Sequence, residues 1–350
     1  MGVRKLNYKK CVLCVKVLIY QHKYCIIMYE ECVWRSCIMS RNFWNPWHGC
    51  MKCSPGCLNC YMYALDDMRG VPEWSSVVKR TKEFDYPIKK DRKGQYKVKS
   101  GEYLKVNMTS DTFIEDADEW RDEFWDIIRQ RPDVKFWLLT KRPERIMKCL
   151  PADWGNGWEN VMLNITCENW DMFKIRWDVF KNIPAKHKGL CLAPLISHID
   201  IRPALKSGQI EEVQVGGENY NNPRPCNQDW VESLSWQCEQ YHVNFFWYES
   251  GTRLIVNGVE YQYPYKKQQA AIAFNSKLSR WYGQKEWKLY DPVDGHLLSN
   301  TELFERKFNK FSCVTCPQVE VCNGCSNCGK CRNTELISLD EVYRLRNGGN

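Results

Sequence analysis

Lys135-Phe136-Trp137-Leu138-Leu139-Thr140-Lys141-Arg142 holds the pattern that decides the fold: a short apolar run that stops at a hydroxyl and two cations. Such a run, bounded by polar residues, reads as a strand that delivers its polar end to one edge of a sheet. The pattern recurs on both sides of this stretch. Strands are expected at residues 103–108, 135–139, 161–165, 189–192, 212–215 and 243–247, with an earlier one near 42–47. Their endings are Thr109-Ser110-Asp111, Thr140-Lys141-Arg142, Thr166-Cys167-Glu168-Asn169, Gly216-Gly217-Glu218-Asn219 and Tyr248-Glu249-Ser250-Gly251. One polar ending is an ordinary loop. Five in succession point to a polar mouth lined by strand C-termini, where parallel α/β folds carry their sites.

Helical patterns fill the gaps. Residues 116–130 put Trp120, Phe124, Ile127 and Ile128 on one face, and residues 228–241 do the same with Trp230, Leu234, Cys238 and Tyr241. Strands alternating with helices imply parallel pairing through right-handed crossovers. The expectation is an α/β fold, a parallel (β/α) full or partial TIM-like barrel over residues 39–300, with a C-terminal cysteine-rich metal-binding module and tail at 301–350. After Gly251 the pattern changes to a hairpin over 252–263 turning at Asn257-Gly258, a helix over 268–281, one more strand at 287–290, and a short helix at 339–345. Residues 1–38 have five cysteines and little periodicity, and Met39 follows them. They read as a dispensable extension, or as a further metal site using Cys11, Cys14, Cys25, Cys32 and Cys37.

Composition narrows the class. The 350 residues are 44% hydrophobic and 26% charged, which supports an ordinary core. No apolar run approaches the ~20 residues of a membrane span, so a cytoplasmic location without membrane contact is expected. There the 20 cysteines stay reduced. Ten of them cluster, in 50–60 and 313–331, and clustered reduced cysteines read as metal ligands. The net charge is +8, of which residues 1–38 carry +5, so the body is only mildly basic and gives a nucleic-acid partner weak support. The 16 tryptophans fall mainly at core-facing positions rather than on a base-stacking surface.

The first cysteine group is Asn45-Pro46-Trp47-His48-Gly49-Cys50-Met51-Lys52-Cys53-Ser54-Pro55-Gly56-Cys57-Leu58-Asn59-Cys60-Tyr61. Glycine and proline between the thiols make it a loop, and a helix pattern over 61–69 follows, whose N-terminal dipole favours a negatively charged centre. Thiolate ligands select iron–sulfur or zinc. The second group, Cys313-x2-Cys316-x5-Cys322-x2-Cys325-x2-Cys328-x2-Cys331, has more thiols than one tetrahedral site needs. Its successive two-residue spacings are closer to a ferredoxin-type loop than to a zinc ribbon, leaving a second iron–sulfur cluster or zinc as its occupant.

The first group, with Ser110-Asp111, Thr140-Lys141-Arg142-Pro143, Glu168-Asn169, Pro194-Leu195 and Gly216-Gly217-Glu218, resembles an uncharacterised bacterial and phage protein family with a C-x6-C-x2-C three-cysteine motif, held to be radical-SAM-like. The resemblance runs in order through residues 42–285. It implies that Cys50, Cys57 and Cys60 bind three irons of a [4Fe–4S] cluster, whose open iron would chelate S-adenosyl-L-methionine (SAM) for reductive cleavage to a 5′-deoxyadenosyl radical. It also implies a three-Cys-motif partner protein, and leaves Cys53 at a variable position. On that basis Gly216, Gly217 and Glu218 are candidates to hold SAM, and Lys141, Glu168 and Asp111 are candidate catalytic residues. For Lys141, Arg142, Glu168 and Glu218, a salt bridge at the barrel rim is the plainer alternative. This sequence departs from the family at Ala193, at Tyr248-Glu249 and, relative to ordinary radical-SAM loops, at Asn59 before the third cysteine. The alternative function is a zinc or iron–sulfur protein that binds nucleic acid or regulates a partner without catalysis of its own.

Overall fold

Seven parallel strands stand side by side in the order in which the chain makes them: β1 (Phe43–Trp44), β2 (Tyr103–Val106), β3 (Lys135–Thr140), β4 (Val161–Thr166), β5 (His187–Leu192), β6 (Ile210–Gly216) and β7 (Asn244–Glu249). The computed structural model of the chain describes residues 43–220, 222–283, 285–304, 307–310 and 335–346. The expected extension at 1–38 and the second cysteine group, Cys313, Cys316, Cys322, Cys325, Cys328 and Cys331, lie outside the described residues.

Helices fill the connections: α1 (Tyr61–Met68), α2 (Arg121–Arg129), α3 (Pro143–Cys149), α4 (Trp170–Phe180), α5 (Arg202–Lys206), α6 (Gln228–Gln240) and α7 (Lys266–Asn275). Local chemistry fixes several starts. Asn169 accepts from the Met172 amide at 2.8 Å to cap α4, and Asn227 accepts from the Asp229 amide at 2.9 Å to cap α6. Glu115–Trp120 forms a 3₁₀ helix before α2, so the expected helix at 116–130 begins later. The hairpin turns at Asn257-Gly258 as expected, both residues having positive φ (51° and 77°), between strands Arg253–Val256 and Val259–Gln262.

The sheet curls into a half-barrel and does not close. A full barrel would pair β1 with β7. Instead β1 pairs only with β2 and β7 with β6, while the outer edge of β7 exchanges hydrogen bonds between Phe245 and Arg280 (2.9 and 2.8 Å). Residues 285–304 pack beside the start of the strands. Trp287 stacks on His187, which begins β5, with ring centroids 4.1 Å apart and planes 5° apart. The Tyr290 amide donates to Pro132 at 3.3 Å, and the Phe304 amide to Ser100 at 2.6 Å. The expected strand at 287–290 shrinks to one bridge between Tyr290 and Leu297.

The two sheet faces differ. Toward the helices, Phe136, Leu138, Val161, Leu163, Ile165, Val213 and Val215 join one large apolar core with Phe124, Ile128, Phe173 and Leu234. The concave face carries a smaller cluster of Trp137, Met162, Cys191, Trp287 and Leu289. Strand alternation puts Lys105, Asn164, Glu212 and Gln214 there too.

Candidate functional site

The strands are parallel, so their C-terminal ends form one mouth, and the first cysteine loop lies across it. The Gly49 amide donates to Thr109 after β2 (3.2 Å), and Arg142 Nη2 after β3 donates to the Met51 carbonyl (2.7 Å). The Gly56 amide donates to Glu168 Oε1 after β4 (3.0 Å), and Asn59 Nδ2 to Glu218 Oε2 after β6 (2.9 Å). Tyr61 reaches back to the Met108 carbonyl. Two glycines make this docking possible. A Cβ on Gly49, whose φ is +93°, would meet the Val77 carbonyl oxygen at 2.4 Å, and one on Gly56 would meet the Glu168 side chain at 2.9 Å.

The candidate acids grip this loop. Glu168 is wholly buried; Arg176 donates to its Oε2 at 2.6 Å. Burial opposes its charge, but Arg176, the Ser54 hydroxyl, the Gly56 amide and Lys141 together hold its pKa below the usual carboxylate value. Glu218 pairs with Arg224, whose Nε lies 3.0 Å from Oε2 and whose Nη2 also donates to the Pro55 carbonyl at 2.9 Å. Its pKa is likewise lowered: burial raises it, and the hydrogen bonds from Arg224 and Asn59 prevail. Asp111 spends both oxygens inside the chain. Oδ1 accepts from Thr140 Oγ1 (2.6 Å) and the Phe113 amide (2.9 Å); Oδ2 accepts from the Lys141 amide (2.8 Å) and lies 3.1 Å from Arg142 Nη1. The glycines at the β6 end face other backbone and ring atoms. A Cβ on Gly216 would meet the Tyr248 ring at 2.6 Å, and one on Gly217 the Ser250 carbonyl at 2.2 Å.

Lys141 differs from its neighbours. Among the described residues, no hydrogen-bond or ion-pair partner meets its ammonium. Burial works against its charge, yet the negative groups of Cys57, Glu168 and Cys60 outweigh burial and raise its pKa. Cys57 is buried, Cys50 and Cys60 are half-buried, and Cys53 is exposed; none is in a disulfide. The Cys53 thiol hydrogen-bonds the Cys57 sulfur and holds it below the ordinary thiol range, with Lys141 and Ser54 (3.8 Å) adding to the effect against burial. Burial and Asp111 push Cys50 up to about 12, despite Arg142 with its Nη1 3.9 Å from the sulfur.

Among the described residues no three cysteine sulfurs lie within 4.8 Å of one another. A single tetrahedral zinc would hold them about 3.8 Å apart, given Zn–S bonds of about 2.3 Å. The loop is therefore not drawn round one ion. Among the described residues the thiols are not gathered into an iron–sulfur-like group either.

With this geometry in view, residues 37–285 match the family described as "Protein of unknown function (DUF5131)". The chain belongs to that family. The DUF5131 match spans the cysteine loop, all seven strands and their polar endings. It ends before the second cysteine group. No curated protein matches the chain. No solved structure matches it either.

Arg176, Asn59 and Arg224 complete the loop anchors; the Glu218–Arg224 salt bridge is the one the sequence suggests, while the other two were not legible as such. Their partners lie 8, 159 and 6 residues away, and only the Glu168–Arg176 spacing falls on one helical approach. No helix among the described residues is long and apolar enough to cross a membrane.

Proposed function

We propose that the chain is an iron–sulfur protein with radical-SAM-like chemistry, in which Cys50, Cys57 and Cys60 ligate a [4Fe–4S] cluster at the strand mouth. The observation that carries this reading is the cysteine loop spread over the C-terminal ends of parallel strands, beside the half-buried Lys141, whose ammonium has no hydrogen-bond or ion-pair partner among the described residues. Loaded, such a cluster would supply the electron for reductive cleavage of SAM. The chain's own part is positional. Glu168, Glu218 and Arg142 keep the loop in register with the sheet. Lys141 offsets negative charge in a desolvated place. The half-barrel limits access of water to the mouth.

The test is anaerobic reconstitution followed by iron, acid-labile sulfide and electron paramagnetic resonance measurements on single serine variants. Cys50→Ser, Cys57→Ser and Cys60→Ser should each lose the cluster and SAM cleavage, and Cys53→Ser should keep both. A cluster lost in Cys53→Ser but kept in Cys57→Ser would overturn the ligand assignment. Stoichiometric zinc with no sulfide would overturn the function.

A further inference from the structure

The small net charge of the body hides a local excess. Residues 79–99 carry nine Lys/Arg against three Asp/Glu, a net +6 within a chain of +8. Two of the nine are engaged, Arg80 with Glu123 and Lys89 with Glu83 and Asp85. The other seven are exposed, and none has a carboxylate partner among the described residues. Elsewhere exposed cations find carboxylates, as in the pairs Lys174–Asp171, Lys181–Asp178 and Arg202–Asp200. Like charges gathered in one place repel one another, and a polyanion relieves that repulsion.

The fold holds this ribbon in place. The strand Lys79–Arg80 pairs antiparallel with Trp47–His48, which sets Lys79 opposite His48. It thus begins beside the cysteine loop, whose Cys50 amide donates to the Ser75 carbonyl at 2.8 Å. The chain then reaches a hairpin closed by the Lys90–Tyr96 bridge, where the Lys97 amide donates to the Lys89 carbonyl at 2.9 Å. Buried Arg131 ties the foot of the hairpin to the body, donating to the Pro87 carbonyl and, at 2.7 Å, to that of Val98. Arg92 and Lys93 stand at the tip of the hairpin, with Lys90 and Lys97 on its two arms.

Aromatic rings alternate with these cations. Trp74 is 47% exposed, with the Lys79 ammonium 5.8 Å from its ring centre. The Lys90 ammonium lies 4.7 Å from the ring centre of half-buried Tyr96. Beside the hairpin foot a cleft of about 340 Å³ opens among Tyr96, Lys99, Arg131 and Phe304. Accessible rings beside cations suit unpaired bases, which stack on the rings while the cations neutralise the phosphates. Bases in a duplex are already stacked on one another.

We infer that the 79–99 ribbon binds single-stranded nucleic acid, with its lysines and arginines on the phosphates and Trp74 and Tyr96 on the bases. The ribbon begins at the cysteine loop, so a bound strand leads to the mouth, but the binding needs no cluster.

The test is fluorescence anisotropy of labelled oligo(U) and oligo(dT), each of about twenty nucleotides, with the full-length chain and no added iron. Salt is varied between about 50 and 200 mM KCl. At least one strand should saturate, with log affinity falling by ~0.7 per log unit of salt for each phosphate neutralised, and so by at most about 5 for seven cations. A preference for oligo(U) assigns RNA, one for oligo(dT) assigns DNA, and equal binding assigns their shared chemistry. Lys90→Gln, Arg92→Gln and Lys93→Gln together should lower that slope by about 2. Trp74→Ala should weaken affinity about tenfold. Lys148→Gln with Lys206→Gln, exposed cations outside the ribbon, should change neither. Melting curves of all the variants guard against misfolding. The inference is overturned by no saturation at the lowest salt, or by equal or tighter binding of a duplex of the same length, of polyglutamate or of phosphatidylglycerol vesicles. It is overturned as well if folded ribbon variants bind as the parent does, or no worse than the control pair. Cluster loading is measured on a separate sample, so either proposal can fail alone.

Discussion

The two faces of the sheet are built from the same strands and do opposite work. On the helix side, alternate residues such as Phe136, Leu138, Leu163 and Val213 are wholly or almost wholly buried and apolar. On the concave side the intervening positions include Lys105, Glu212 and Gln214, tied to one another at 2.7–2.9 Å, and Asn164, whose Oδ1 has no partner among the described residues. The first face gains by excluding water from apolar surface. The second burdens the fold with desolvated polar groups, a cost that folds accept where a ligand is to be met. The comparison says where mutations should hurt stability and where they should hurt binding.

A large effect is expected on the helix face. Leu138→Ala should cost about 2–5 kcal/mol in urea unfolding, through lost transfer energy and a cavity. Glu212→Gln, on the concave face, should stay within about 1 kcal/mol. Equal losses would erase the distinction between the faces.

At the mouth, Arg176→Met strands the fully buried Glu168 carboxylate, and should cost about 3–5 kcal/mol. The pH dependence follows from Glu168, whose pKa is lowered in the folded chain. Its contribution is therefore complete above the ordinary carboxylate pKa, and is lost as pH falls through the lower, folded value. Glu168→Gln should flatten the acid limb of the stability curve. An unchanged acid limb would mean that this pair does not hold the loop.

Gly56→Ala sharpens the role of the loop. The added methyl meets Glu168 at 2.9 Å, so a loss of about 1–3 kcal/mol is expected, together with reduced iron uptake on reconstitution. Full uptake with lowered stability would separate loop seating from metal binding.

A small effect belongs to Glu218→Ala. Arg224 is 30% exposed and can return to water, so about 1 kcal/mol is expected, read from the melting curve. SAM titration of the reconstituted variant decides its further role. Weakened SAM affinity at an unchanged melting temperature would make Glu218 a ligand residue; a lowered melting temperature with unchanged affinity would leave it an anchor.

Much of the architecture was legible from local pattern. Residues 135–139 and 161–165 announce strands because short apolar runs ending in polar residues have little else to become, and the observed strands extend these by one residue each. The 228–241 helix was readable from its apolar spacing, and Asn227 caps it. The strand at 287–290 failed because Trp287 and Leu289 serve the concave cluster rather than a ladder. A short apolar run does not reveal which surface it will cover.

The site divides the same way. By itself the sequence determined that four thiols would share one loop at 50–60, and that several acids and cations would follow strands, because spacing and strand polarity are local. Only the tertiary structure decided what those charges do. Asp111 is satisfied within its own turn and by the next strand's end; Glu168 and Glu218 bind a loop more than 100 residues earlier in the chain; the Lys141 ammonium has no hydrogen-bond or ion-pair partner among the described residues. It also decided that Glu212, inside an apparently apolar strand, stands on the concave face and accepts from Trp137 and Gln214. Alternation says that neighbours in a strand point to opposite faces. Which face is filled with helices, and which is left for polar chemistry, depends on how the sheet curls and on what covers it.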